Sequence, residues 1–301
     1  MLRNLVLLLL IPLSLAADPP WLTGPLLTPS TQIVPFGHAN VEPYQFYIAN
    51  IGAYDHQGHF HSFEKLYQCT SALLAKVGLT EKINLWCRIS ASYNRIKDRQ
   101  ASGYNDIPIG LDYQLYQNDN STYVRISIEE TLSTGKYQKL NERNLHADSF
   151  GNGAFVTTFS IGASHLFHFN DRYFKPRVDL ALDLISSVNV KGLNTYGGDK
   201  TTKGKVAHRK GFHFSLGAEY TLTKSLALAC ELLGQYSSNG KFKGKTVASS
   251  FAPLYWQMSI TPSIEINFNA TSGIIVSYWG SIAGRNSSKF ESAVIAYNYY
   301  Y

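Results

Sequence analysis

The chain has 301 residues, of which 16% are charged and 13% are aromatic, and its formal net charge is +6. The charged fraction is well below the quarter that is usual for soluble domains, and the mean hydropathy of −0.13 excludes a bundle of membrane-spanning helices. Low charge, many aromatic rings and intermediate hydropathy are typical of chains in which apolar and polar residues alternate.

The first sixteen residues, MLRNLVLLLLIPLSLA, have the pattern of a secretory signal peptide. Arg3 supplies a basic start, a leucine-rich core follows, and Ser14 and Ala16 are the small residues that precede a cleavage site. We predict that residues 1–16 are a signal peptide. No later stretch approaches 18 consecutive apolar residues, so an exported, membrane-bound protein would have to cross as strands.

Residues 17–40 hold five of the eleven prolines. Proline has no amide hydrogen to donate to a strand ladder, so this stretch is a poor candidate for a paired strand. We predict an extended lead-in, which either lies in the periplasm or is tucked into the mouth of a barrel formed by residues 41–301.

Period-two alternation of apolar and polar residues predicts about twelve strands after the lead-in. The clearest example is KINLWCRISASYN, in which Ile83, Leu85 and Ile89 share one face and Asn84 and Arg88 share the other. The predicted strands are 41–48, 64–76, 81–95, 106–117, 121–132, 154–169, 173–187, 211–223, 225–237, 255–268, 270–282 and 289–301.

The connections between these strands alternate in length. Tight turns follow the even-numbered strands, and long segments rich in Gly, Asn, His and Lys follow the odd-numbered ones, from ANIGAYDHQGHFHS to SSNGKFKGKTVASSFAPL. Outer-membrane barrels have short periplasmic turns, long external loops and an even number of strands. The sequence therefore predicts an all-β fold, a single antiparallel transmembrane β-barrel in a Gram-negative outer membrane.

The last predicted strand ends in an aromatic ladder formed by Tyr297, Tyr299 and Tyr301. Outward-facing rings at the end of a strand suit the membrane interface, where amphipathic aromatic side chains collect. A final aromatic residue is also similar to the assembly signal of outer-membrane barrels, which implies the barrel-assembly machinery as a partner. An ordinary amphipathic edge strand is the alternative.

Four short stretches carry a family resemblance: GPLLTPSTQIVPFGHANVEPY, TLSTGKY, GLNTYGG and YSSN. Together they resemble Gram-negative outer-membrane β-barrel proteins of the MetA-pathway phenol-degradation, transporter-like family. The resemblance spans most of the chain after the signal peptide. It implies a twelve-strand barrel and the passage of small aromatic or hydrophobic compounds.

Ten charged residues fall on the polar faces of the predicted strands. In lipid each would cost up to about 2–4 kcal/mol at mid-depth, so we expect them to line the lumen. They are Arg88, Asp112, Arg125, Glu129, Arg177, Asp179, Asp183, Glu219, Glu231 and Glu265. They could form a closed network that plugs the barrel, or they could line a narrow water-filled path; the mixed signs argue against strong ion selectivity.

Enzymatic and metal sites have weaker support. Ser238, Asn239 and Gly240 match the frame of an outer-membrane phospholipase, but Tyr236 occupies the place of the catalytic histidine and cannot act as a base at neutral pH. His56, His59 and His61 share one loop without a carboxylate pair at metal-binding spacing. We therefore expect no enzyme activity, no cofactor and no metal.

The cysteines are Cys69, Cys87 and Cys230. If strands two and three fold about Gly78, Cys69 and Cys87 come to lie opposite each other, and a cross-strand disulfide is possible. The alternative is that they are small apolar residues facing lipid.

Three functions remain open: a channel for small solutes, a barrel-anchored surface-interaction protein with long basic external loops, and a lipid hydrolase. The expected partners are outer-membrane lipid and lipopolysaccharide, the assembly machinery and a small solute. The Lys-rich loops favour an anionic surface over nucleic acid, because the protein is predicted to be exported.

Overall fold

The computed structural model describes residues 22, 24–118, 121–207, 210–246 and 254–301. The predicted signal peptide, residues 1–16, and the first part of the predicted lead-in lie outside these ranges. Within the described ranges, no helix has the length and apolar character needed to span a membrane.

Antiparallel strands dominate the fold. The described residues form seventeen strands, numbered in chain order as β1 (Ala39–Tyr54), β2 (Phe60–Thr80), β3 (Ile83–Ile96), β4 (Arg99–Tyr104), β5 (Ile107–Asn118), β6 (Thr122–Leu132), β7 (Val156–His165), β8 (Phe167–Phe169), β9 (Arg172–Ile185), β10 (Val188–Lys191), β11 (Lys203–Ala207), β12 (Lys210–Thr221), β13 (Leu226–Ser237), β14 (Lys241–Lys245), β15 (Tyr255–Asn267), β16 (Ser272–Arg285) and β17 (Ser287–Tyr300). One turn of 3₁₀ helix lies at Glu142–Asn144.

Twelve strands close a barrel. They pair in the order β1, β2, β3, β5, β6, β7, β9, β12, β13, β15, β16 and β17, and β17 pairs back onto β1. The predicted antiparallel barrel of about twelve strands is therefore confirmed. One end of the barrel has tight connections such as 81–82 and 222–225, and we call it the short-turn end. The other, the long-loop end, carries segments such as 133–155.

Two of the predicted long loops are instead mostly hairpin. β1 continues to Tyr54 and β2 begins at Phe60, which leaves only a tip of residues 55–59, and β4 folds back onto β3. In the tip, Asp55 Oδ2 lies 2.7 Å from His61 Nε2. This hydrogen bond lowers the pKa of the Asp55 carboxyl below its usual range.

Along the strands, apolar side chains point outward and polar side chains point inward, as the alternation predicts. On β9 the side chains of Leu180 and Leu182 are 43% and 40% exposed, whereas Asp179 and Arg177 are 2% and 5% exposed. Exposed leucines on the outside and buried charges on the inside are the arrangement that a lipid solvent requires.

Aromatic side chains mark both ends of the outer surface. Phe212, Tyr236 and Trp256 are cross-strand neighbours on β12, β13 and β15 near the long-loop end. Near the short-turn end, Tyr297 and Tyr299 stack with their ring centroids 6.5 Å apart. Such rings are typical of the two interfaces of a membrane barrel.

Three loop segments form a second sheet, which we call the external sheet. It consists of β10, β11 and β14, in that order, which repeats the order of the barrel strands β9, β12 and β13. Each of its strands is separated from one barrel strand by only a few residues: β10 follows β9, β11 precedes β12, and β14 follows β13. The external sheet therefore extends this part of the wall beyond the barrel. The prediction that these segments are loops is wrong, because pairing between three separate loops leaves no local signal.

The register excludes the possible disulfide between Cys69 and Cys87. Cys69 lies opposite Tyr93 in the β2–β3 register and Cys87 lies opposite Ala75, so the cysteines are six residues apart along the hairpin. At the rise of a strand this separation is about 20 Å, far beyond disulfide reach. All three cysteines are free thiols. Cys69 and Cys87 lie apart because the hairpin turns at residues 81–82 rather than about Gly78.

Candidate functional site

Residues 24–34, which we call the inner segment, run inside the barrel. The backbone amide of Gly24 donates to Glu219 on β12 at 3.0 Å. The amide of Val34 donates to Asn84 on β3 at 3.1 Å. Since β12 and β3 are well separated around the barrel, the segment spans the lumen, and side chains supply the acceptors that a strand ladder would otherwise provide. Residues 24–34 of the lead-in therefore lie inside the lumen.

Glu231 anchors the middle of the inner segment. Its carboxylate accepts hydrogen bonds from the amides of Leu27 at 3.0 Å and Thr28 at 2.6 Å, and from the Thr28 hydroxyl at 3.0 Å. Glu231 is only 1% exposed. A carboxylate removed from water needs such donors, and bonds to a charged acceptor are stronger than neutral ones, so this contact fixes the segment firmly.

A buried ion pair holds the start of the inner segment. Arg177 donates to Glu219 through Nη2 at 2.6 Å and through Nε at 2.9 Å. Lys175 lies next to this pair on the same face of β9, is 7% exposed, and places Nζ 5.4 Å from the Tyr123 ring. The opposite charges of Arg177 and Glu219 therefore compensate each other in a buried region on the short-turn side of the segment.

Close packing joins the inner segment to the wall. A Cβ atom on Gly217 would lie 2.9 Å from Cγ of Pro25, so the absence of a side chain lets the segment approach β12. Leu26 packs against Ile275 and Val294 on β16 and β17. The segment is thus fixed by polar contacts on one side and by apolar contacts on the other.

A second charged network lies beside the inner segment. Arg125 on β6 donates to Asp179 on β9 at 2.6 Å, and its Nη1 lies 3.5 Å from Oδ1 of Asp112 on β5. Asp112 also accepts from Ser127 at 2.5 Å and from the Trp86 indole at 3.3 Å. The bonds to Asp112 link β3, β5 and β6, the bond to Asp179 joins β6 to β9 across β7, and one arginine partly compensates two carboxylates.

Further toward the long-loop end, Asp183 accepts a hydrogen bond from Thr158 at 2.7 Å and lies 3.3 Å from His213 Nδ1. With Arg125 and Asp179, these residues form one face of the lumen, on β6, β7, β9 and β12, which we call the charged side.

The opposite face of the lumen is aromatic. Phe46 on β1 meets Trp279 on β16 edge to face at 6.3 Å, and Trp279 meets Phe290 on β17 in the same way at 4.6 Å. Tyr44 stacks on Phe46 at 5.8 Å. We call this face, on β1, β16 and β17, the aromatic side.

Two cavities flank the inner segment. The first, of about 180 Å³, lies between the segment and both sides of the lumen, and Arg88 and Glu129 line it together with Tyr44 and Phe46. The second, of about 410 Å³, lies past Leu27 and is lined by the aromatic side, by Asp179 and His213 of the charged side, and by polar residues of β13 and β15. A single water molecule needs about 10–15 Å³ of cavity volume, so both cavities have room for a small solute.

All ten charged residues predicted to line the lumen lie on the inner side of the wall. Five of them border the first cavity: Arg88, Arg125, Glu129, Arg177 and Asp179. Asp112 joins them through its ion pair with Arg125, and Asp183 is bonded to Thr158 and His213, which line the same cavity. Glu219, Glu231 and Glu265 are fully buried nearer the short-turn end. Sequence reasoning missed Lys175 and His213, although each shares its face with a predicted residue of its own strand, and missed Glu42 of β1.

The structure does not bring Ser238 and a histidine together as a lipid-hydrolase site would require. Ser238 follows the end of β13 at the long-loop end and donates to the Lys210 carbonyl at 3.4 Å. His165 lies at the short-turn end, where it is bonded to Thr122 at 2.7 Å. Among the described residues no cluster of three metal-ligating side chains occurs.

Comparison with known proteins supports the fold. No protein-family profile matches the chain. No curated protein sequence matches it either. Among solved structures, an outer-membrane channel from Pseudomonas putida F1 superposes with a TM-score of 0.70 at 15% identity, covering 92% of this chain and 100% of that one.

Two further structures overlap more loosely. The NanC porin gives a TM-score of 0.47 at 10% identity, covering 86% of this chain and 98% of that one. The CymD monoaromatic hydrocarbon channel gives 0.45 at 12% identity, covering 90% of each. Translocator barrels of autotransporters also occur among the similar structures. The superposition with the Pseudomonas putida F1 channel shows that the chain has the fold of an outer-membrane β-barrel.

Proposed function

We propose that the protein is a narrow outer-membrane channel for small solutes. The observation that carries this proposal is the pair of cavities on either side of the inner segment, within a closed barrel. The fold shared with an outer-membrane channel is consistent with it. A signal peptide at residues 1–16 and membership of the MetA-pathway phenol-degradation, transporter-like family are parts of the same proposal.

The two sides of the lumen suggest the class of solute. In the first cavity, a molecule with an aromatic or aliphatic body can lie against Tyr44 and Phe46 while its polar group faces Arg88 and Glu129. Fixed charges of both signs favour neutral or zwitterionic polar groups over large ions. We therefore propose small amphipathic solutes, aromatic ones included.

Single-channel recording in planar bilayers tests the proposal. We expect a small, resolvable conductance, and we expect phenylalanine to interrupt the current at a lower concentration than threonine, which lacks the ring. Equal effects of the two amino acids would remove the aromatic preference. The complete absence of conductance would overturn the channel and favour the surface-interaction protein.

That second function has an observation of its own. At the long-loop end, residues 133–155 and 186–202 bond to each other, with the Thr195 amide donating to the Tyr137 carbonyl at 2.8 Å and that of Leu140 donating to Leu193 at 2.9 Å. An ordered external layer of this kind suits a surface that binds a partner.

We also propose that Tyr297, Tyr299 and Tyr301 act as the assembly signal. Tyr301 and Ala39 exchange backbone hydrogen bonds of 2.8 and 2.9 Å, so the last residue takes part in the closing seam. Deleting residues 299–301 and fractionating the cells tests this. Normal amounts of the shortened protein in the outer membrane would contradict it.

A further inference from the structure

One face of the external sheet consists largely of lysine. Its strands VNVK, KGKVA and KFKGK contain no acidic residue. In the register, Lys203 lies opposite both Lys191 and Lys245, and Lys205 lies opposite Lys243. Residues directly opposite each other point to the same side of a sheet, so these lysines and Lys241, two residues before Lys243, share one exposed face. We call it the lysine face.

The lysine face is unfavourable in isolation. Like charges directly opposite each other on neighbouring strands destabilise a sheet, since their Cβ atoms are only about 4.5–5.5 Å apart. Among the described residues, the lysines that form ion pairs are Lys97, Lys136 and Lys200, none of which belongs to this face. An anionic partner from outside the chain would relieve the repulsion.

The opposite face of the sheet shows which way the lysines point. Val188 and Val206 are 1% and 0% exposed and pack in one cluster with Val156 and Ile185. Val156 is two residues from Thr158, which borders the first cavity, so this cluster continues the lumen side of the wall. The valines therefore face the barrel axis, and the lysine face points away from it.

The lysine face lies above the lipid-facing surface of the same strands. Directly below it, Phe212 and Tyr236 form part of the aromatic row that marks the membrane interface. Lys241 follows Tyr236 by five residues, which an extended chain covers in about 17 Å. A phospholipid headgroup layer is only about 5–8 Å deep, so the upper lysines reach the depth of a larger, sugar-bearing headgroup.

We propose that the lysine face binds the phosphates of lipopolysaccharide in the outer leaflet around the barrel. The proposal rests on the outer-membrane location given under the proposed function, but not on conduction. The lysine face presents six ammonium groups on a rigid sheet above the aromatic row. This arrangement matches anionic groups that are fixed in the membrane plane. Each lysine near such a surface contributes roughly a fivefold gain in binding.

Binding to the purified full-length protein in detergent tests the proposal. The test variant combines Lys203→Gln, Lys205→Gln and Lys243→Gln. The control variant combines Lys97→Gln, Lys139→Gln and Lys200→Gln, which removes the same charge from other external positions. Each protein is titrated with lipopolysaccharide, with dephosphorylated lipopolysaccharide and with polygalacturonate, a soluble polyanion, while circular dichroism checks the strand content.

We expect the test variant to bind lipopolysaccharide about 100-fold more weakly, because three lysines are lost, and the control to stay within a few-fold of wild type. Dephosphorylated lipopolysaccharide should bind wild type as weakly as the intact glycolipid binds the test variant. Equal binding by the two variants would overturn the proposal. Polygalacturonate binding as tightly as lipopolysaccharide would also overturn it and would assign the face to a soluble polysaccharide.

Discussion

The two sides of the lumen are stabilised in different ways. On the aromatic side, Phe46, Trp279 and Phe290 contact one another through ring faces and edges, and such contacts tolerate changes of similar volume. On the charged side, Arg177 and Glu219 are almost completely buried and depend on each other. Removal of one partner leaves an uncompensated charge in a dry interior, which is far more costly.

The difference separates two roles within one lumen. Burying an ion pair contributes little net stability compared with apolar residues of the same volume, so the charged side is retained at some cost. It positions the start of the inner segment, since Glu219 accepts a hydrogen bond from the Gly24 amide. Glu231 on the neighbouring strand β13 holds the middle of the segment. The aromatic side packs against the cluster around Leu26 and borders the second cavity. The charged side positions the inner segment through hydrogen bonds, and the aromatic side combines apolar packing with open space.

The largest expected effect comes from breaking the buried pair. Arg177→Met leaves Glu219 without its partner and should lower the free energy of unfolding by about 3–5 kcal/mol. Trp279→Phe on the aromatic side makes the side chain smaller and removes its hydrogen bond to Ser259 at 3.0 Å, and it should cost about 1–2 kcal/mol. Urea unfolding in lipid vesicles measures both. Combining Arg177→Met with Glu219→Leu should recover only part of the loss, because the Gly24 amide then lacks its acceptor. Equal losses for Arg177→Met and Trp279→Phe would contradict the comparison.

A smaller effect is expected from weakening the anchor of the inner segment. Glu231→Gln replaces charge-assisted hydrogen bonds to Leu27 and Thr28 with neutral ones, a loss of roughly 1–2 kcal/mol. The segment should then leave its place about five to thirty times more often, which single-channel recording would detect as excursions to a higher conductance. Asp112→Asn is the control, since the contacts of Asp112 are to the wall. Identical traces for both variants would argue against the anchor.

The smallest effect is expected at Arg88, which borders the first cavity. A unit charge about 10 Å from a permeating ion in water contributes about 0.4 kcal/mol, with opposite signs for cations and anions, so Arg88→Ser should raise the cation-to-anion permeability ratio roughly fourfold. The reversal potential in a salt gradient measures this ratio. Lys82→Ser, in the turn at residues 81–82, is the matched control. A reversal potential that shifts equally in both variants would place Arg88 outside the path.

The sequence was sufficient for the barrel and for the facing of its strands, because alternation of period two is a local signal and lipid penalises every error. Leu180 and Asp179 are neighbours in the chain and lie on opposite faces as expected. The register between paired strands could not be predicted in the same way. The hairpin of β2 and β3 turns three residues later than expected, so Cys69 and Cys87 lie apart.

The contents of the lumen were the least predictable part. Glu231 binds an amide 203 residues away in the chain, and no pattern near either residue indicates the contact. The external sheet presents the same difficulty, since β10, β11 and β14 come from separate loops. Local signals describe the wall, whereas the contents of the barrel depend on pairings between distant residues.

The seam between β1 and β17 has a consequence for the order of folding. It joins Ala39 to Tyr301, so closing it before the other hairpins form would require a loop of almost the entire chain. The entropy cost of loop closure grows with loop length, and contacts between distant residues slow folding. We therefore expect the eleven hairpin pairings to form first, as an open sheet with two unpaired edges. Such edges readily pair with other chains, so the stage just before closure is when this protein is most exposed to aggregation and most dependent on assistance.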